Sequence, residues 1–585
     1  MRRSPLTGRA ALATRVDQRA STPSWKRSSS ASGWHREVRK VGMEEFDYIV
    51  AGAGSAGCAV AARLAQDHGI RVLLLEAGPK DRNIWIHIPI GYGKTMFNSS
   101  VNWQFYSEPE PHLDNRRIYQ PRGKVLGGSS SINGLIYIRG HANDYDNWKA
   151  MGNEGWGWDD VLPYFKRAEA NQRGASALHG GDGPLRVSDV RGKHELVEAF
   201  IAGAVECGIP RNDDFNGPNQ DGVGYVQLTT GGGRRCSTAR GYLRNVKREG
   251  SLTVETGALA RRILFDGVRA IGVQYEQNGR IMEAYARHEV IVSAGAFQSP
   301  QLLQCSGVGP ADLLRDIGVQ PVVDLPGVGQ NLHDHLQVRV MYRCTKPITT
   351  NDSLRTLWGR AHIGLQWLLQ QKGPVAAGIQ LACLFARSRP EEIQPDIQFH
   401  FGTISADKTA GQPHDFPGFT LSVCQLRPTS RGHLKARSKD MATPPEILMN
   451  YFATAEDRRV MTAGVRLAQD IARSNGMTPY VKAPYRPDRF LETDREIEDF
   501  IRQTATTIFH PVGTCRIGND DMAVVDPKLR VHGVYGLRVV DASVMPAVPS
   551  GNTNAGAIAI GEYASDMIKS DRRTRNIDIS ARQSA

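Results

Sequence analysis

Phe46-Asp-Tyr-Ile-Val50 leads into Gly52-Ala-Gly54-Ser55-Ala56-Gly57 and then Cys58-Ala-Val-Ala-Ala-Arg-Leu-Ala65, and this stretch decides the fold. The first run is apolar and of strand length, the last is alanine-rich and helix-forming, and the glycines lie between them. In that context each glycine has a job: Gly52 permits a tight turn, Gly54 lets a pyrophosphate approach the backbone, and Gly57 lets the helix pack closely on the strand. Ser55 and Ala56 begin the helix, whose free N–H groups face the phosphates. The next apolar run, Arg71-Val-Leu-Leu-Leu75, ends in Glu76, 19 residues after Gly57. A carboxylate there accepts a hydrogen bond from a ribose 2′-hydroxyl and repels a 2′-phosphate. The unit reads as an adenine-dinucleotide site; the competing reading is a glycine-rich turn in an ordinary βαβ unit.

The 585 residues around this unit predict two or three domains with a large core. Hydrophobic residues at 40 % and charged residues at 23 % exclude a disordered or fibrous chain. Eight scattered cysteines (Cys58, Cys207, Cys236, Cys305, Cys344, Cys383, Cys424, Cys515) form no C-x-x-C pair, which fits a reduced, cytoplasmic compartment. No uncharged apolar stretch reaches the ~18 residues of a spanning helix.

The net charge of +12 invites a nucleic-acid or membrane partner until it is located. Residues 1–42 hold ten Lys and Arg against Asp17 and Glu37, so +8 of it lies in this leader and only +4 in the rest. No nucleic-acid partner is expected. The leader is serine-rich and lacks a signal-peptide core, like a transit peptide. It also reads as sequence upstream of a true start at Met43, or as a basic arm with a partner.

Further along, Arg122-Gly-Lys-Val125-Leu-Gly-Gly128-Ser-Ser-Ser-Ile132-Asn133-Gly-Leu-Ile-Tyr-Ile-Arg-Gly140 resembles the first signature of the glucose-methanol-choline (GMC) oxidoreductases, FAD-dependent alcohol oxidases and dehydrogenases. Gly295-Ala-Phe-Gln-Ser-Pro through Gly309 resembles their second signature. Phe509-His510-Pro-Val-Gly-Thr-Cys515, Asp541-Ala542-Ser-Val-Met-Pro and Gly551-Asn-Thr-Asn554 resemble their C-terminal active-site region. The resemblance spans roughly residues 44–569 and is strongest to the choline dehydrogenase-like and aliphatic alcohol dehydrogenase branch.

The resemblance implies that Gly52, Gly54, Gly57 and Glu76 hold the ADP half of FAD and that Val254 meets the adenine through its backbone. It implies that Val125, Gly128 and Asn133 lie along the isoalloxazine, and Asp541 and Ala542 near the pyrophosphate and flavin. Some members bind FAD covalently through a histidine before the loop asparagine; Ile132 stands there, so the FAD is expected to be non-covalent. His510 is the expected base and Asn554 the expected second active-site residue. Residues 555–568 read as a helix with Asn552 or Thr553 as N-cap, whose N-terminal partial charge would stabilise a reduced, anionic ring.

Hydride loss from an alcohol carbon requires the hydroxyl proton to leave as well, and an unperturbed imidazole is neutral at working pH. Full proton transfer from a water-like hydroxyl to that imidazole is uphill by about 9 pKa units, or ~12 kcal/mol. A free alkoxide is therefore not expected to accumulate: proton loss is expected to be coupled to hydride departure to flavin N5 or strongly stabilised by the site.

The expected fold is α/β: a Rossmann-like FAD-binding domain over 44–140, 216–335 and 505–570, with an α+β substrate domain containing an antiparallel sheet over 141–215 and 336–504. Residues 1–43 form the leader and 571–585 a frayed polar tail. His333-Asp334-His335 lacks further ligands for a metal, Cys515 reads as packing, and Trp156 and Trp158 as turn anchors. Strand 396–401, with Phe399, His400 and Phe401, is the expected roof over the flavin. The substrate is a primary alcohol of open identity. Choline would need an aromatic cage or a carboxylate, whereas an apolar roof would favour aliphatic, aromatic or terpenoid alcohols. The acceptor is expected to be a quinone or the respiratory chain, with peripheral contact at the inner membrane. An oxidase, a flavin-containing lyase on the same fold, and a non-catalytic binder acting through the leader are the alternatives.

Overall fold

The computed structural model describes residues 45–244, 246, 251–408 and 411–584; the basic leader falls outside them. Met43–Ala585 form one compact unit built on two seven-stranded sheets.

The first sheet starts from the glycine unit. Strands Glu45–Ala51 and Val72–Glu76 pair in parallel, flanked in parallel by Leu252–Thr256 on one side and the C-terminal half of Arg280–Val292 on the other. Such strands need near-continuous apolar runs because both faces of the sheet are covered, and Ile49, Val50, Leu73 and Leu74 are fully buried. The other half of Arg280–Val292 carries the antiparallel strands Arg269–Gln277 and Ala258–Asp266, and Leu537–Val539 closes the far edge of the parallel half. Helix Ser55–Leu64 follows the glycine turn. Gly52 has φ +111°, and a Cβ on Gly57 would lie 1.9 Å from the Gly52 carbonyl oxygen, so both positions exclude any side chain.

The second sheet is antiparallel, in the order Val481–Arg486, Leu336–Cys344, Gly418–Gln425, Ile397–Gly402, Gln380–Ala386, Gly222–Tyr225. Gly222–Tyr225 joins this sheet although the sequence assigns its segment to the dinucleotide domain; Val223 and Gly224 pair with Leu384 and Cys383. Alternation decides which residues face which way. Val338, Phe399, Phe401, Leu421 and Val423 lie in the core shared with helix Ala455–Arg473, and Phe401 stacks on Phe200 at 4.4 Å. Gln337, Arg339, His400, Thr420 and Ser422 line a cavity on the other face.

The last helix, Asn554–Ser584, runs through the boundary near 570 that composition suggests. Ion pairs hold it there: Asp571 to Arg538 at 2.7 Å and to Lys528 at 3.1 Å, and Arg572 to Asp67 at 2.5 Å.

Candidate active site

One cavity of about 330 Å³ runs from the glycine turn to the polar face of the second sheet. Gly52, Gly54, Ser55, Ala56, Glu76, Gly128, Asn133, Asp541, Ala542, His510 and Asn554 all line it. Gly57 lies beneath it as a packing residue. Val125 is sealed in a small cluster with Ile86, Val101 and Ile132. Val254 is not in the lining either: its strand ends at Thr256, the chain turns at Gly257, and Ala258, Leu259 and Ala260 of the following strand reach the cavity.

The dinucleotide end fits FAD. A Cβ on Gly54 would point into open space, with its nearest neighbour, the Ser293 carbonyl oxygen, 3.9 Å away. The helices beginning at Ser55 and Asn554 both bring their N-termini to the wall, a favourable setting for phosphate oxygens. Glu76 accepts from Ala53 N–H at 3.2 Å and Gly78 N–H at 2.8 Å, so it braces the glycine turn while keeping lone pairs for a ribose. Burial pushes its pKa up to about 7, against those two backbone donors. Asp541 accepts from Gly295 N–H, Ser299 Oγ and Ser543 N–H, tying the second signature to the C-terminal segment. Ile132, in the lining, carries no group that could bond covalently to a flavin.

The loop bearing Asn133 is held by a residue that the sequence does not single out. Arg235, 1 % exposed, donates to the Asn133 side chain at 2.6 Å and to the carbonyls of Asn133, Ser130 and Ile86. No local pattern marks it, because its partners lie about 100 residues or more upstream in sequence.

At the other end, backbone geometry presents His510. Phe509 has φ +74°, a strained value for an aromatic residue. It is fixed by Thr507 Oγ1, which accepts from its N–H at 2.6 Å, and by Arg122, which donates to its carbonyl at 2.7 Å. Asp334 accepts from His510 N–H at 2.7 Å, His335 N–H at 2.8 Å, and the hydroxyls of Thr507 and Tyr451. His333 accepts from Val548 N–H at 3.0 Å through Nε2. The His-Asp-His run therefore scaffolds the C-terminal segment.

The side-chain network fixes the tautomer of His510. Nε2 of His335 lies 2.9 Å from the Leu426 carbonyl oxygen, which can only accept, so that nitrogen carries the proton. Nδ1 of His335 is then a lone pair, 3.0 Å from Nδ1 of His510. His510 must donate there, which leaves its Nε2 as a lone pair. The Asn552 carboxamide nitrogen donates to that lone pair at 3.2 Å. Burial, then the nearby His335, His400 and Arg122, hold His510 well below the ordinary histidine pKa, and burial lowers His335 to about 4. Both rings are neutral at working pH, as the proton assignment requires.

Asn554, expected beside the base, is elsewhere: its Oδ1 accepts from Ser55 Oγ at 2.7 Å, clamping the last helix to the glycine turn. Asn552, two residues earlier, meets His510. From sequence, Asn552 reads only as a capping residue. The turn from Gly551 (φ +138°) into the helix decides which asparagine faces the ring, and no local pattern reports that.

The roof is mixed: Gln337, Arg339, His400, Thr420 and Ser422 face the cavity beside the apolar Ile379 and Ile404. Gln337 Oε1, His400 Nδ1 and Asn552 Oδ1 are buried without hydrogen-bond partners. Arg339 and Lys408 add positive charge to the wall, and among the described lining residues the only carboxylates are Glu76 and Asp541. Cys515 is fully buried, and burial raises its thiol well above the ordinary range, so it is packing.

The chain is similar to known proteins over most of its length. The family model described as GMC oxidoreductase matches in its N-terminal part at residues 46–337 and in its C-terminal part at 428–561. The chain is 44 % identical over 540 residues to the "Oxygen-dependent choline dehydrogenase" of Burkholderia ambifaria, covering 92 % of this chain and 95 % of the relative. It is 44 % identical over 543 residues to the mitochondrial choline dehydrogenase of Mus musculus, covering 91 % of each. Among solved structures, pyridoxine 4-oxidase from Mesorbium loti superposes with a TM-score of 0.81 at 29 % identity, over 89 % of this chain and 98 % of that one. A formate oxidase from Aspergillus oryzae RIB40 gives 0.84 at 28 % identity, over 91 % and 99 %.

Proposed function

The chain belongs to the GMC oxidoreductase family, FAD-dependent enzymes acting on CH–OH donors, and from that premise we propose that it oxidises an uncharged, polar primary alcohol to the aldehyde with His510 as base and Asn552 beside it. The observation that carries the reading is the lone pair on His510 Nε2, held toward the cavity by the series Leu426 carbonyl, His335, His510.

Bound FAD supplies the hydride acceptor; the residues of this chain handle the proton. A substrate hydroxyl inserted between His510 and Asn552 donates to Nε2 and accepts from the Asn552 carboxamide. His510 is a weaker base than free imidazole, so lowering of the bound alcohol's pKa by the site has to offset more than the ~12 kcal/mol mismatch of free imidazole before an alkoxide can accumulate. In this reading proton transfer tracks hydride loss. His335 keeps accepting from Nδ1 as His510 becomes cationic, so no hydrogen bond is lost during the step.

The substrate class rests on the roof. A quaternary ammonium calls for a carboxylate or an aromatic cage; Arg339 and Lys408 in the wall oppose a cation, Phe399 and Phe401 face the core, and the aromatic rings that do line the cavity are Tyr92, Trp103, Phe297 and Phe509. The unpartnered Gln337 Oε1 calls for a donor on the ligand, and His400 Nδ1 for a donor or an acceptor according to its tautomer. Choline is the second reading, favoured by the 44 % identity to choline dehydrogenases. Anaerobic bleaching of the flavin band by a panel of uncharged primary alcohols and choline tests both. Uncharged polar alcohols should bleach fastest, and a preference for choline would overturn the substrate class. The electrons are proposed to pass to a quinone-type acceptor. Slow recovery of the band in air, with fast recovery on adding a quinone, is the expected result, and fast recovery in air would make the enzyme an oxidase.

A further inference from the structure

Helix Leu357–Gln370 leaves its apolar side in solvent. Leu357 is 81 % exposed, Trp358 87 %, Leu365 55 %, Leu368 66 % and Leu369 74 %. At about 100° per residue, these five and Ala361 fill one continuous arc of about 120°. The opposite side holds the helix to the body: Ile363 is buried, and Trp367 donates to the Gly233 carbonyl at 2.7 Å. Scattered exposed leucines need no explanation, but a contiguous apolar helix face does.

The charge around the helix identifies the occupant. From 353 to 390 the sequence contains no Asp or Glu. Arg355, Arg360 and Lys372 are exposed, and the first two donate to backbone carbonyls of Asp415 and Leu354. None of the three has a carboxylate partner among the described residues. An apolar face flanked by unneutralised cations matches a lipid surface with anionic headgroups. A second copy of the chain on a two-fold axis would set these cations against their own copies.

The chain beyond the helix leads directly into the cavity wall. Ile379 and Gln380, nine and ten residues past its end, line the cavity, as do Tyr92 and Met96, and Pro374–Ala377 packs against the turn Pro89–Gly91 just before Tyr92.

We propose that helix Leu357–Gln370 lies in the surface of an anionic phospholipid bilayer, bringing the cavity entrance to the plane where an apolar electron acceptor dissolves. The acceptor's identity rests on the function proposed above; the docking does not.

The test uses the full-length holoprotein and vesicles of phosphatidylcholine with or without phosphatidylglycerol. Binding to the mixed vesicles is expected, with brominated lipid quenching a fluorescence component that Trp358→Phe removes. The triple variant Leu365→Asp, Leu368→Asp, Leu369→Asp should bind at least about tenfold more weakly, with its flavin spectrum and alcohol-driven bleaching unchanged. If the triple variant loses its flavin, the exposed pair Arg360→Gln and Lys372→Gln carries the test: each should weaken binding about fivefold, because a basic residue near an anionic surface contributes about 1 kcal/mol. Undiminished binding in these variants would assign vesicle affinity to the basic leader, which is constant throughout, and overturn the proposal. A change from dimer to monomer in the triple variant without vesicles would overturn it too, making this a face between copies. Vesicle binding needs no substrate, so its failure leaves alcohol oxidation standing, and failed bleaching leaves the docking standing.

Discussion

Nδ1 of His335 lies 3.0 Å from Nδ1 of His510 with the two rings 81° apart, and this contact leaves Nε2 of His510 as an acceptor rather than a donor toward the cavity. His335 acts by position. His335→Ala is expected to retain FAD and slow anaerobic flavin reduction on the order of 10², since a wrong tautomer removes the lone pair from the substrate side. His335→Asn, whose Oδ1 can accept from Nδ1–H, should recover part of that loss. Equal rates in the two variants would reduce His335 to packing.

His510→Ala should keep the flavin spectrum and lower the reduction rate by about 10²–10⁴; a loss below about tenfold would remove it from the base role. Burial holds its pKa well below 6.5. A base with a lowered pKa stays neutral as pH falls toward that value, so the acid limb of flavin reduction should lie below pH 6.5 rather than at it.

Asn552 and Asn554 should separate by phenotype. Asn552→Ala is expected to slow reduction by about tenfold or more at full FAD occupancy, having lost the group that meets Nε2. Asn554→Ala breaks the clamp to Ser55 and should lower thermal stability and FAD retention by about 1 kcal/mol with reduction little changed. The opposite pattern would restore Asn554 to the reacting centre.

Glu76 carries a pH signature in FAD-free protein. Its folded pKa, about 7, lies above the ordinary 4.5. Its contribution is therefore complete below pH 4.5 and is lost as pH rises through 7, a swing of about 3 kcal/mol at most. Glu76→Gln should flatten that part of the melting-temperature profile and weaken FAD binding. Unchanged FAD affinity would end the ribose assignment.

Gln337 tests the substrate class. Gln337→Glu places a carboxylate on the roof, and kcat/KM for choline relative to an uncharged alcohol should rise by about tenfold or more. A constant ratio would mean that substrate charge is sensed elsewhere.

Local pattern alone determined the dinucleotide unit, because strand, glycine turn, helix and terminal Glu76 are contiguous and each follows from short-range geometry. Gly52 and Gly57 occupy positions where a Cβ has no room, and such constraints are legible in residue type. His510 was legible for a different reason: its whole motif resembles a family. Tertiary structure decided which asparagine faces His510, that Ala258–Ala260 rather than Val254 line the cavity, and that the roof presents His400 while Phe399 and Phe401 turn to the core. It also brought His335 against His510 across 175 positions of sequence. Residues so far apart meet through strand register and loop path, and a one-residue change in either reverses which side chain faces the cavity. The chemistry of the site was written in residue types, and its assignment to particular atoms in the packing of the two sheets.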